Sequence, residues 1–337
     1  SCAMNNRFAT VWLLAAINAI AMSSVPMMML VGSLIGAQLA PAERWATLPI
    51  AMMVIGTACG VVPATRTMQR LGRRTTFGIF IAIGILACAV LGQALAMHSF
   101  VLFCAGSCLL GVTAAALQQT RFAAMECVPL ADGPVAASII MCAGIVAAFA
   151  GPELAVRGQY LSAVEFQASF WLGAACLLAA GALLCLYTPA HRPATQPSAD
   201  RRTSLALLGN PTLLLAVVSG TSAFMVMSFV MTATPISMHL HHGHSLEDTK
   251  WVLQSHIAAM FLPSLFTPWL FRLIKIRGLM LAGLACYCAT IVIGLVDASV
   301  LGFWGQLVML GIGWNFLFVS GTALLPMAYQ PGEEYRA

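Results

Sequence analysis

Gln69-Arg70-Leu71-Gly72-Arg73-Arg74 decides the architecture: three arginines and a glycine in six residues, set between two long apolar runs at 46–65 and 75–96. Each run has the ~20 residues that an α-helix needs to cross about 30 Å of hydrocarbon. A short basic turn between two such runs makes a helical hairpin, and its positive charge belongs on the cytoplasmic side.

The rest of the chain extends this pattern. Hydrophobic residues make up 60% and charged residues 8%, with mean hydropathy +0.90. A soluble domain carries about 25% charged residues. Ten apolar segments follow one another, at 11–39, 46–65, 75–96, 99–118, 134–154, 167–188, 212–238, 250–271, 278–297 and 300–326. The expected class is therefore an all-α polytopic membrane protein whose main partner is the lipid bilayer.

Orientation follows from Lys and Arg. With the N-terminus inside, 13 of these residues fall on the inner side, from Arg7 through Arg66, Arg70, Arg121, Arg272 and Arg277 to Arg336. Only Arg44, Arg157 and Lys250 fall outside. The net charge of +5 is thus an inner-leaflet feature and gives no reason to expect nucleic acid. The cysteines lie mostly inside apolar segments and read as small packing residues, since no outer loop carries a pair. Glu153 and Asp297 lie near outer ends of segments, so no carboxylate is placed deep enough for a buried proton relay.

A polar stretch at 191–204 divides six segments from four, giving halves at 1–190 and 205–337 with a cytoplasmic linker between them. A weak repeat spans it. Pro63-Ala-Thr-Arg66 leads into the basic turn, as Pro268-Trp-Leu-Phe-Arg272 leads into Lys275-Ile-Arg-Gly278 about 205 residues later, an arrangement expected of two halves related in parallel. This organisation resembles the major facilitator superfamily. Its loop between helices 2 and 3 typically reads Gly-x-x-x-Asp-Arg-x-Gly-Arg-Arg. Arg70-Leu-Gly-Arg-Arg74 fits that pattern, but Gln69 occupies the acidic position, so gating by that carboxylate is not expected here. The resemblance implies two pseudo-symmetric helical halves and twelve transmembrane helices. Ten are found, and the expectation is a chain lacking its last hairpin by truncation.

Two patterns carry candidate chemistry: Met227-x-x-x-Met231 and His256-x-x-x-Met260. A four-residue step puts both members of each pair on one helix face. Thioethers with an imidazole form a soft set suited to Cu(I). With 19 Met and 7 His, about one Met pair and roughly 0.4 His–Met pairs of this spacing arise by chance, so location must carry the case. Treated as an antiparallel hairpin, the two segments have their midpoint at Gly243–His244, in the one polar loop between them. Both pairs then lie at matching depth, with Met227 about 22 Å along its segment and near mid-bilayer. The outer loop Met238-His239-Leu-His241-His242-Gly-His244 offers possible metal-entry ligands, or is simply a solvated His-rich turn.

The run Met227-Ser-Phe-Val-Met-Thr-Ala-Thr-Pro235, the Gly243-His-Ser-Leu246 loop and His256-Ile-Ala-Ala-Met260-Phe-x-Pro263-Ser resemble the CcoA-like branch of the superfamily. That resemblance implies copper import across the bacterial inner membrane by alternating access, with Met227, Met231, His256 and Met260 as copper ligands. It also implies supply of cytochrome oxidase assembly, with a copper chaperone or assembly factors as partners of a monomer. Copper would be the transported substrate, and no cofactor is implied. A sister branch, the RfnT-like proteins, imports riboflavin on a similar scaffold. A solute site of that kind expects aromatic stacking and hydrogen bonders, for which Asn18, Trp314 and Asn315 are candidates. No enzyme motif or soluble sensor domain is present in the sequence.

Overall fold

The computed structural model describes residues 2–129, 132–189 and 209–328, and these are helical almost throughout. In chain order the helices are α1 (Cys2–Ala21), α2 (Ser24–Leu39), α3 (Leu48–Ala96), α4 (Phe100–Leu117), α5 (Thr120–Glu126), α6 (Gly133–Gly158) and α7 (Gln167–Leu184). They continue as α8 (Pro211–Pro235), α9 (Leu246–Phe261), α10 (Thr267–Val296) and α11 (Val300–Ala328). The 191–204 linker lies outside the described residues, as do the chain ends beyond 328.

Eight helical stretches among the described residues are long and apolar enough to cross a membrane. Nine of the ten sequence segments fall in these stretches, two of them in one; the eighth segment, at 250–271, is broken and its main helix is too short to be among them. Glu43–Ala96 holds two spans folded into a hairpin, the turn falling where Gly72 takes φ +80° and ψ 167°: Gly56 and Gly60 before it, and Gly84 after it, all pack on α4. The eighth segment is α9 plus a 3-10 turn at Leu262–Leu265 and the first turns of α10, up to Lys275 (φ +58°, ψ 175°). Apolar side chains such as Val101, Phe229 and Leu295 stand fully outward along these helices, as expected of helices solvated by lipid and without a polar face.

The repeat inferred from sequence recurs in the backbone. Gly72 and Lys275 share the same left-handed, extended break, 203 residues apart. Ser99 accepts the Leu102 amide through its hydroxyl at the start of α4, and Ser299 accepts the Gly302 amide at the start of α11. Both caps satisfy an otherwise orphaned first-turn N–H.

The described residues pack as two compact units. One is formed by α1–α7 together with Pro235–Gln254; the other by α8 up to Thr234 and the chain from Ser255 onward. Within the first, α3 and α4 approach backbone to backbone: a Cβ on Gly56 would lie 2.0 Å from the Cys108 carbonyl oxygen. Small residues at such seams give the close packing that drives helix association in lipid. After the break, Arg73 makes a bidentate pair with Glu126 of α5, at 2.6 and 2.7 Å. With Gln69 in place of an acid, the basic turn finds its carboxylate there.

Pro235–Gln254, which the sequence assigns to the 205–337 half, packs with the first unit. Lys250 ties it there through Glu153 of α6 at 2.8 Å and is also paired with Glu247. Gln254 donates to the Phe149 carbonyl at 3.0 Å.

Candidate functional site

All four proposed ligands lie in the second unit and all are buried: Met227 and Met231 on α8, His256 and Met260 on α9. α8 runs unbroken to Pro235, so the two methionines keep their shared face. The departure from α-helix comes only afterwards, as a π-helical turn at Ile236–His241. Proline removes the amide that the next α-turn would use.

His256 is completely buried, and its Nδ1 lies 2.8 Å from the Leu307 carbonyl oxygen on α11. A carbonyl only accepts, so Nδ1 carries the hydrogen. The Nε2 lone pair is left facing away from that bond, buried and with no protein partner. One turn on, Asn315 donates through Nδ2 to the Met260 carbonyl at 2.7 Å and to the Ser264 hydroxyl at 2.6 Å. Its Oδ1 is buried and unpartnered. Gly311 lets the two helices meet: a Cβ there would sit 2.6 Å from the His256 carbonyl oxygen and 3.1 Å from the Met260 amide nitrogen. Leu307, Gly311 and Asn315 follow at four-residue steps, so a single face of α11 meets α9.

An aromatic cluster adjoins this seam. Trp314 stacks on Phe318 at 4.8 Å and 9°, and meets Phe224 of α8 edge-on at 5.2 Å and Phe261 of α9 at 6.2 Å. Trp314 itself is buried with its indole Nε1 unpartnered, while Phe224 remains 44% exposed. Tyr287 of α10 donates to the Ala223 carbonyl at 2.7 Å, and Ser219 donates to the Leu317 carbonyl at 2.9 Å, which fixes α8 against its neighbours. Buried polar groups are almost always hydrogen-bonded. Besides the Ser320 hydroxyl further along α11, three such atoms on α9 and α11 lack a protein partner, and these are the candidate contacts for a ligand. They comprise two acceptors, His256 Nε2 and Asn315 Oδ1, and one donor, Trp314 Nε1.

Trp314 and Asn315 were legible as candidates in the sequence. Phe224, Phe261, Phe318 and Ser264 were not. For Phe318 the one available signal was the Trp314-x-x-x-Phe318 spacing, which reads equally as core. Asn18 lies in the first unit, where its Oδ1 accepts from the Thr120 hydroxyl at 2.9 Å.

The His-rich loop is a built turn. His239 Nδ1 bonds the His244 carbonyl and His242 Nδ1 the Ser237 carbonyl, both at 2.8 Å, and Gly243 supplies φ +69°. His241 Nε2 lies 3.6 Å from Glu43. Met238 is fully buried, so its thioether is not offered to solvent. No group of three or more His, Cys, Asp or Glu able to hold a metal occurs among the described residues. A metal held in the second unit would therefore rest on thioethers and the single imidazole.

An all-helical bundle with apolar spans and an unsatisfied polar-aromatic site between them is the form of a membrane transporter. The chain belongs to the Major Facilitator Superfamily, whose profile matches residues 9–336. It is 33% identical over 330 residues to the riboflavin transporter RfnT of Brucella anthropi, an alignment covering 96% of this chain and 82% of that protein. Among solved structures it resembles the nucleoside transporter NupG, with a TM-score of 0.71 at 12% identity, covering 97% of this chain and 84% of that one. It also resembles a bacterial homologue of the human lysosomal transporter Spinster, with a TM-score of 0.70 at 14% identity, covering 98% and 76%. At such identities these two likenesses speak for the fold alone.

Proposed function

We propose that this protein transports a small organic solute with a planar aromatic part, and that riboflavin is the first such compound to test. The observation that carries the reading is the cluster in which the half-exposed Phe224 packs on buried Trp314, with one unpaired donor and two unpaired acceptors on α9 and α11. Riboflavin offers a flat ring system with donors and acceptors along its edge, which complements that set. The likeness to RfnT supports the same substrate class. The site would be exposed to each side in turn by alternating access. The positive-inside distribution favours the bacterial inner membrane with the N-terminus in the cytoplasm. Purified protein in proteoliposomes should take up labelled riboflavin in a saturable manner; uptake no faster than in empty vesicles would refute the reading.

One observation favours a second cargo, copper. Metal-ligating histidines commonly give their other ring N–H to a backbone carbonyl, which fixes the tautomer. His256 does this toward Leu307, and the thioethers of Met227, Met231 and Met260 are buried in the same unit. Such a donor set suits Cu(I). That reading brings with it delivery to a copper chaperone or oxidase assembly factor. Cu(I) competition binding on the purified protein, run beside the riboflavin assay, separates the two.

A further inference from the structure

The first unit contains a groove that lies apart from the proposed solute site in the second unit. α3 beyond its break and the last turns of α7 flank an open groove of about 670 Å³, walled by Ile81, Ile85 and Leu178, with Gly78 and Gly181 along it and Arg74 among its lining. A Cβ on Gly78 or Gly181 would meet nothing closer than 3.7 or 3.6 Å, so the missing side chains leave real space. From Arg74 to Ile85 the helix rises roughly 16 Å, at 1.5 Å per residue. That is about half of the ~30 Å hydrocarbon core, the depth of one leaflet.

The groove's arginine differs from its neighbour. Arg73 is saturated by Glu126, whereas Arg74 is exposed and gives one N–H to the Cys185 carbonyl at 2.8 Å. Neither Arg74 nor the exposed Arg66 and Arg70 forms an ion pair among the described residues. The apolar walls continue into the outward-facing Ile79 and Leu86. Basic sites of this kind between transmembrane helices recognise anionic headgroups, and a guanidinium matches a phosphate bidentately.

We propose that this groove binds an anionic phospholipid, one acyl chain lying between α3 and α7 and the phosphate seated on Arg74. A soluble phosphate would leave the apolar length unused, so the occupant is a lipid of the leaflet on the arginine-bearing side.

Native mass spectrometry of the detergent-purified full chain tests this, with phosphatidylglycerol and phosphatidylcholine of matched acyl chains added separately. The expected result is one retained phosphatidylglycerol, bound at least tenfold more tightly than phosphatidylcholine. Arg74→Gln should remove about tenfold of that affinity, the value of one charge-assisted pair, and Arg74→Lys should keep most of it. Gly181→Phe fills the groove without touching the charge and should lower retention of both lipids. Equal retention of the two lipids, or unchanged retention in both Arg74→Gln and Gly181→Phe, would overturn the proposal. So would displacement of the lipid by millimolar inorganic phosphate alone, which would show a simple anion site.

Discussion

Asn315 holds the backbone of Met260: its Nδ2 lies 2.7 Å from the Met260 carbonyl oxygen. Two candidate sets that the sequence kept apart thus share one seam. Met260 and His256 belong to the thioether–imidazole set, Asn315 and Trp314 to the aromatic one, and α9 meets α11 through both. A cargo at this seam meets both chemistries, so the variants below are chosen to pull them apart.

Trp314→Leu should lower riboflavin uptake about tenfold or more, with Trp314→Phe falling between it and the parent because Phe keeps the stacking and loses the indole N–H. Stacking of an aromatic pair contributes about 0.5–1.5 kcal/mol beyond area burial, and the indole N–H adds a hydrogen bond that Phe lacks. Initial rates in proteoliposomes, normalised to monodisperse reconstituted protein, give the measurement. Equal rates in Trp314→Leu and the parent would remove Trp314 from the site.

Met231→Leu discriminates between the two cargoes, because Leu matches Met in size and removes only the sulfur. On the solute reading, riboflavin uptake stays near that of the parent. On the copper reading, Met231→Leu and His256→Leu each abolish copper uptake, while Met280→Leu on α10 is silent. His256→Asn refines the result, since its amide can still donate to the Leu307 carbonyl while the Nε2 lone pair is gone. Copper accumulation in His256→Asn at the parent level would exclude the imidazole as a ligand.

Gly311→Ala should destabilise the second unit by about 1–3 kcal/mol, the usual cost of overpacking. Its Cβ would meet the His256 carbonyl oxygen at 2.6 Å, an unyielding backbone atom. Gly220→Ala on α8 is the matched control, with nothing within 4 Å of its Cβ. Thermal unfolding in detergent should show a drop of several degrees for the first and none for the second.

Lys275→Gly should stabilise the protein. Lys275 sits at φ +58° and ψ 175°, a region that is essentially glycine's alone and costs other residues about 1–3 kcal/mol. At Gly72 the same break is made by glycine, so Gly72→Ala should destabilise. Opposite shifts in melting temperature are expected, and a lower melting temperature in Lys275→Gly would show that the lysine side chain contributes more than its backbone costs.

Membrane class, the apolar helices and the two basic turns at which α3 and α10 break were legible in the sequence. Run length, absence of charge and basic turns are local properties that decide insertion before any helix meets another. Met227, Met231, His256 and Met260 were likewise legible as i,i+4 pairs, and the structure finds all four buried in one unit. Periodicity could not say what those residues touch. His256 finds its acceptor 51 residues along the chain, at Leu307, and Asn315 reaches back 55 residues to Met260. Nor could it say that Pro235–Gln254 packs with the first unit, since that depends on Lys250 meeting Glu153, 97 residues away. Where two helices approach is fixed by small residues such as Gly311, whose role is invisible until the opposing backbone is present. Hence the sequence determined the helices and their fitness to cross a bilayer. The tertiary structure alone decided which polar atoms remain unpaired, because that depends on which helices pack together.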